Sequence, residues 1–331
     1  MYIIDLQKIK TGDIILSRSY SEESRRIREN SKSNYSHAIF YVGASSCLES
    51  DGLGVHSQNI QRILFENIDD AIVLRLSKEE SRDIISEAIV FARQQIGKEY
   101  SPREAIRASD KLDIKAIEKN RQFCTRFVAQ AFELAGLQIV KNSDYCTPQD
   151  LLESKHLIVI ESTLNQATEA DIKLSNDADN ILIHQRNITN TLLEGARNYS
   201  GEDIQTLEQL TKFVIHNPEK ESSIIRIVEK SGYLNIWELE KINNPWLYDY
   251  DLFLNFFSNV SDRLSMGLFL ATSSDYDLER FTINLATFEQ LNSIKSMKYF
   301  QIQIALYETL IDLVNTRREI GLKVLREFHL L

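Results

Sequence analysis

NYSHAIFYVG, residues 34–43, is the stretch on which the reading of this chain turns. His37 stands at the head of a run of aliphatic and aromatic residues that closes on Gly43, the composition of a buried strand with a titratable group at one end. Similar short runs surround it. DIILSR at 13–18, the stretch around Cys47 to Glu49, AIVLRL at 71–76 and LIVI at 157–160 are brief, apolar, and punctuated by Gly or Asp, which predicts strands of one sheet. Helical spacing appears between them. Ile84, Ile85, Ala88, Ile89, Ala92 and Ile96 predict an amphipathic helix over 79–96 that stops at Gly97. Phe123, Phe127, Val128, Ala131, Phe132 and Leu134 predict a second over 121–135, before Gly136. Thr147 and Pro148 read as the cap and first position of a short helix over QDLLES. The polar segment at 20–33, YSEESRRIRENSKS, reads as a solvated loop or short helix, or as a lid over a cleft.

The rest of the chain reads differently. At 331 residues it is about twice a typical domain. From about 162 onward the strand signals fade and apolar residues recur at three- and four-residue spacing, predicting five to eight helices, so the expected division is 1–161 and 162–331. The aromatic-dense region containing Trp237, Trp246, Tyr248, Tyr250, Phe253, Phe256 and Phe257 reads first as helical core. Charge divides the same way: 22 basic against 23 acidic residues over 1–160, then 16 against 25 over 161–331, for a net charge of −10. Without clustered Lys and Arg, nucleic acid is excluded as the main partner. Three cysteines, an odd number, argue against a disulfide framework and for a reducing compartment. The opening MYIIDLQKIKTGD carries Asp5, Lys8 and Lys10 and no cleavage site, and no apolar stretch reaches the ~20 residues of a membrane span. A soluble, cytoplasmic protein is expected, although signal-independent export leaves no trace in a sequence.

Three residues carry the chemistry. Glu49 lies twelve residues after His37, where neighbouring strands of one sheet bring the two together, and a carboxylate beside an imidazole fixes its tautomer and stabilises the imidazolium. Cys124 opens the helix predicted over 121–135, and helix N-termini favour thiolate over thiol. Cys47 and Cys146 have no such setting and read as packing residues. The six histidines are scattered without paired spacing, no two cysteines suit a zinc hairpin, and no phosphate-binding glycine loop appears, so neither metal nor other cofactor is expected.

The series TGDIILSR, SHAIFYVG, Glu49, GKEYS, FCTRFVAQAFELAG and CTPQDLLES resembles the circularly permuted NlpC/P60 papain-like thiol hydrolases, which include the YiiX-like and lecithin:retinol acyltransferase-like proteins. Order is the diagnostic feature, because His37 and Glu49 precede Cys124, which follows the histidine by 87 residues. The resemblance covers residues 8–160. It implies an α+β fold, a small antiparallel sheet packed on helices, and says nothing of the all-α domain that the periodicity predicts after it. It also implies a cysteine-dependent hydrolase or acyltransferase that cleaves an amide or ester through a thioester. Cys124 would be the nucleophile, His37 the base and Glu49 the residue that orients it. Tyr35 and Tyr100 are candidates for lining a cleft for a peptide or lipid-type acyl substrate. One departure is that Thr125 and Arg126 follow the cysteine, where family members often carry a serine and then an acid. The competing reading is a non-catalytic interaction protein, or an effector delivered into another cell, whose helical half binds a protein partner. The complete set of three favours catalysis.

Overall fold

The computed structural model describes residues 1–77, 82–109, 118–177 and 180–330. Six strands form an antiparallel sheet in the order β5-β4-β3-β2-β6-β7: β2 Ile14–Ser17, β3 His37–Gly43, β4 Ser46–Asp51, β5 Gly54–Asn59, β6 Ala71–Leu76 and β7 Leu157–Ile160. Each antiparallel pair exposes two side-chain faces, and the sequence fills both. Ile14, Leu16, Ala38, Phe40, Leu48 and Leu74 belong to one core, with Ala88, Ile89 and Ala92 of α2 (Arg82–Gln94) and Phe127, Val128, Ala131 and Phe132 of α4 (Cys124–Leu134). Their alternates Ile15, Ile39, Tyr41, Cys47 and Val73 form a second core with Ile4, Ile9, Ile60 and Phe65. Burial on both faces is why these strands read as continuous apolar runs rather than as strict alternation. Phe40 and Phe132 meet edge to face with centroids 5.3 Å apart, an anchor between β3 and α4. The permuted papain-like domain expected from the sequence is thus the architecture observed, followed by a mostly helical region.

Several elements escape the sequence reading. β1 (Tyr2–Ile4) pairs with β8 (Leu164–Gln166) in a separate two-stranded ribbon, so a strand lies within the part expected to be all helix. α1 (Glu22–Ser31) occupies the polar segment, capped by Ser21, and α3 (Pro102–Ser109) precedes the cysteine helix. α4 starts at Cys124 rather than at 121, and α5 (Pro148–Leu152) has the expected Thr147 cap, completed by Asp150. The first residues of the helix expected over 79–96, positions 79–81, lie outside the described residues.

The chain resolves into two compact units, Met1–Lys212 and Phe213–Leu331, so the first extends well past the boundary expected at 161. Polar anchors account for the difference. Ala167 N–H donates to the Met1 carbonyl at 2.9 Å, closing the ribbon. Arg197, in α7 (Ile181–Ser200), pairs with Glu99 at 3.1 Å, and Arg121 pairs with Asp203 at 3.0 Å. Buried Gln205 accepts from the Glu99 N–H at 2.9 Å.

Within the second unit, the long helices α12 (Val260–Ile294) and α13 (Lys298–Glu327) pack along each other. Phe253 is fully buried with Leu270, Ile320 and Val324, and Trp246, Tyr250 and Phe257 pack around them, so this part of the aromatic-dense region is core, whereas Phe256 is exposed. The helices approach closely at Gly267 and Gly321. A Cβ at Gly321 would lie 2.6 Å from the Gly267 carbonyl oxygen and 2.7 Å from the Ala271 nitrogen, backbone atoms that no rotamer change moves aside. Gly321→Ala is therefore expected to destabilise this unit by about 1–3 kcal/mol. Both tryptophans, Trp237 and Trp246, lie in it, so the midpoint of denaturant unfolding followed by tryptophan fluorescence measures the loss directly.

Candidate active site

Strand register builds the first part of the site. β3 and β4 pair with Ile39 opposite Glu49, and β4 and β5 pair with Glu49 opposite His56. Opposed residues share a face, as do residues two apart, so His37, Glu49 and His56 line up across three adjacent strands. Contact follows from placement. His37 Nε2 lies 2.8 Å from Glu49 Oε2, and His56 Nε2 lies 3.5 Å from Glu49 Oε1. Glu49 is only 8% exposed. Burial by itself would raise its carboxyl pKa, but hydrogen bonds and charge from the two rings overcome that and hold it well below the usual carboxylate range.

α4 supplies the second part. Its N-cap, Phe123, is extended at φ −138° and offers no side-chain acceptor, so the first N–H groups of the helix have no capping partner from that residue. Cys124 is the first residue of the helix, and its Sγ lies 3.9 Å from the carbonyl oxygen of Ser36, the residue before His37. For His37, burial favours the neutral ring, but Cys124 and Glu49 together outweigh it, and the pKa stands well above that of an ordinary histidine.

Around the sulfur runs a cleft with mostly apolar walls. Ile27 of α1, Ala105 and Ala108 of α3, Phe123, Tyr100 and Pro148 line it. Thr125 Oγ1 donates to the Cys146 carbonyl at 2.6 Å, which ties the 146–148 wall to the cysteine helix. Tyr100, a candidate from the sequence, is one of the residues that line this cleft. Tyr35 is not: its ring is buried in the sheet core with Ala38, Phe40 and Leu48. The chain between α1 and β3 turns it inward, with Ser33 Oγ accepting from Tyr35 N–H and Ser17 O accepting from Ser36 N–H. Cys47 and Cys146 are buried, and burial pushes both thiols up, away from thiolate character.

Arg126 is fully buried, with its charge met on every side. Nη2 pairs with Glu104 Oε2 at 2.8 Å, Nε donates to the Asp144 carbonyl at 2.8 Å, and the guanidinium lies 4.6 Å from the Phe123 ring centroid. Tyr145 OH donates to the same Glu104 oxygen at 2.5 Å. Arg126, two residues after Cys124, thus joins α4 to α3 with its charge paired.

His56 is the member of the cluster that sequence reasoning missed. GVHSQN lacks the apolar alternation of a strand, yet SDGLG just before it is a turn signal, and folding the chain about Gly52 and Leu53 sets His56 opposite Glu49. Glu49, Asp51 and His56 bring ligand-type atoms within 4.8 Å of one another. Both oxygens of Glu49 face imidazole nitrogens, at 2.8 and 3.5 Å, and His56 Nδ1 lies 3.0 Å from the Gly54 carbonyl.

Residues 8–167 match the family model described as permuted papain-like amidase enzyme, YaeF/YiiX. No curated protein matches the chain. Among solved structures, the crystal structure of metalloprotein yiiX from Escherichia coli O157:H7 aligns at 16% identity and a TM-score of 0.29, covering 46% of this chain and 97% of that one. No described helix is long and apolar enough to cross a membrane. Residues 8–167 form a circularly permuted papain-like domain, and the family model they match supports a cysteine-type hydrolase in general terms.

Proposed function

We propose that this domain hydrolyses an amide bond in a peptide-type acyl substrate through a thioester on Cys124, with His37 as general base and acid and Glu49 orienting His37. The observation that carries the reading is a thiol at the first residue of an uncapped helix, 3.9 Å from the carbonyl oxygen of the residue before His37, whose Nε2 lies 2.8 Å from a buried carboxylate. Cys124 gives its proton to His37 to form a thiolate–imidazolium pair, and the thiolate sulfur bonds the carbonyl carbon. Negative charge moves to the carbonyl oxygen, where the free N–H groups at the start of α4 can receive it. His37 then gives its proton to the leaving nitrogen, the C–N bond breaks, and a thioester remains. Water loses a proton to His37 and attacks that carbon, releasing a carboxylic acid and restoring the thiol. The apolar cleft walls, Tyr100 among them, suit an acyl group with a small hydrophobic side chain.

Alkylation tests the nucleophile. At limiting iodoacetamide, intact mass and peptide mapping are expected to place a single label on Cys124. Preferential label on Cys47 or Cys146 overturns the assignment. Cys124→Ala is expected to abolish hydrolysis and leave the unfolding midpoint close to wild type, since alanine is well tolerated at a helix start.

The partners of the thiol are expected to differ in severity. His37→Ala removes the proton carrier and should lower kcat/KM by about 10²–10⁴. Glu49→Gln keeps an acceptor for the ring but loses the charge that stabilises imidazolium, so its loss should be smaller. Because the His37 pKa is raised, the ring stays charged above pH 6.5, and activity that needs imidazolium is lost only as pH rises through the raised value. A kcat/KM profile whose alkaline limb lies at or below pH 6.5 contradicts this.

A further inference from the structure

His56 belongs to neither the cleft wall nor the three residues assigned to chemistry, yet it is 3% exposed and closely surrounded by oxygen. Nε2 faces Glu49 Oε1 at 3.5 Å, and Nδ1 faces the Gly54 carbonyl at 3.0 Å and Asp51 Oδ1 at 3.6 Å. All three partners are acceptors. A neutral imidazole has one N–H and one lone pair, so either tautomer would turn a lone pair toward an oxygen; only the imidazolium satisfies both sides. Glu49 has the complementary need. Its two oxygens point to two different rings, and a carboxylate so little exposed requires a donor for each.

We propose that His56 is a positioning residue for this site, an imidazolium that holds the second oxygen of Glu49 and thereby fixes the first oxygen against His37. The inference rests on the reading of Cys124, His37 and Glu49 as the reacting groups. Local backbone geometry supports it. Gly54, at φ +89°, sits at the head of β5, and a Cβ there would lie 2.7 Å from the Lys98 carbonyl oxygen, so the hairpin that delivers His56 is held against the 98–99 backbone. Val55 N–H donates to that same carbonyl at 2.8 Å. The charged groups bearing on the ring are Glu49 and Asp51 of β4, with His37 of β3 beyond Glu49. Lys98 and Glu99 belong to the segment paired with β5, and α7, which packs along β5, carries Arg186, Glu194 and Arg197.

A cation on the far side of Glu49 also shares the charge that Glu49 presents to His37. Removing it should strengthen the hold of Glu49 on the His37 proton while loosening the geometry. The test uses the full chain with ¹³C- and ¹⁵N-labelled histidine, the His37 signal being assigned by His37→Gln. In the wild type, both His56 nitrogens should carry protons at neutral pH; an unprotonated nitrogen overturns the proposal without recourse to any variant. In His56→Gln, His37 should titrate about half a unit to one unit higher than in the wild type, and the pH dependence of Cys124 alkylation by iodoacetamide should change with it. A lowered unfolding midpoint with an unchanged His37 titration would show that His56 only stabilises the hairpin, and the proposal fails. If Cys124 is not the thiol labelled in the wild type, the reading of the site falls and this inference with it; normal labelling with an unmoved His37 sinks the inference alone. A chelator that reproduces the His56→Gln change would put a metal ion in place of the proton and overturn the proposal as well.

Discussion

A carboxylate placed almost out of solvent in the middle of a sheet must be given donors, and Glu49 takes both of its from side chains on the flanking strands. That requirement constrains everything around it. The β3–β4 register must set Ile39 against Glu49 so that His37 falls diagonally across, and the β4–β5 hairpin must turn at Gly52 and Leu53 so that His56 falls directly opposite. A slip of one residue in either pairing would send the partner ring to the other face and leave a buried charge unpaired, a cost of several kcal/mol. The register that gives the sheet its two cores is therefore also the register that orders the site.

The cysteine helix answers a separate constraint. A buried guanidinium two residues after Cys124 would be costly if unmatched, and Glu104, the Asp144 carbonyl and two aromatic rings match it. Those partners come from α3 and from the segment after α4. The network therefore fixes the start of α4 relative to two walls of the cleft, where an apolar residue at 126 would fix it only by packing. Breaking one partner is worse than never having had the pair, which ties the position of the thiol to the integrity of residues far from it in sequence.

Much of this was legible beforehand because it follows from local pattern. HAIFYVG and AIVLRL are strands over the residues read as such, and Thr147, Pro148 and Asp150 cap a helix as that combination should. His37 lies 2.8 Å from Glu49, and Cys124 lies 3.9 Å from the carbonyl of the residue before the histidine. What escaped lies in longer-range pairing. GVHSQN becomes a strand because it completes a hairpin, not because its residues prefer one, and Tyr2–Ile4 and Leu164–Gln166 are strands only through each other. Tyr35 was legible as an aromatic beside the histidine; which way the turn at Ser33 sends its ring was not.

The boundary between units shows the same limit. Periodicity reveals that a helix has an apolar face but is silent on what covers it, so the helical segment around α7 looked continuous with the helices that follow. Charge pairing decided otherwise. Glu99 receives Arg121 and Arg197, Asp203 receives Arg121, and Gln205 bonds the backbone of the same segment. These contacts lead from the residues just before α3, on the cleft side of the domain, out to residue 205. A chain ending near 162 would discard β8, the partner of β1, together with the arginine and glutamine that secure Glu99. The segment carrying Tyr100 would then be held by fewer bonds, so the helices around α7 belong to the support of the cleft even though they follow Cys124, His37 and Glu49 in sequence.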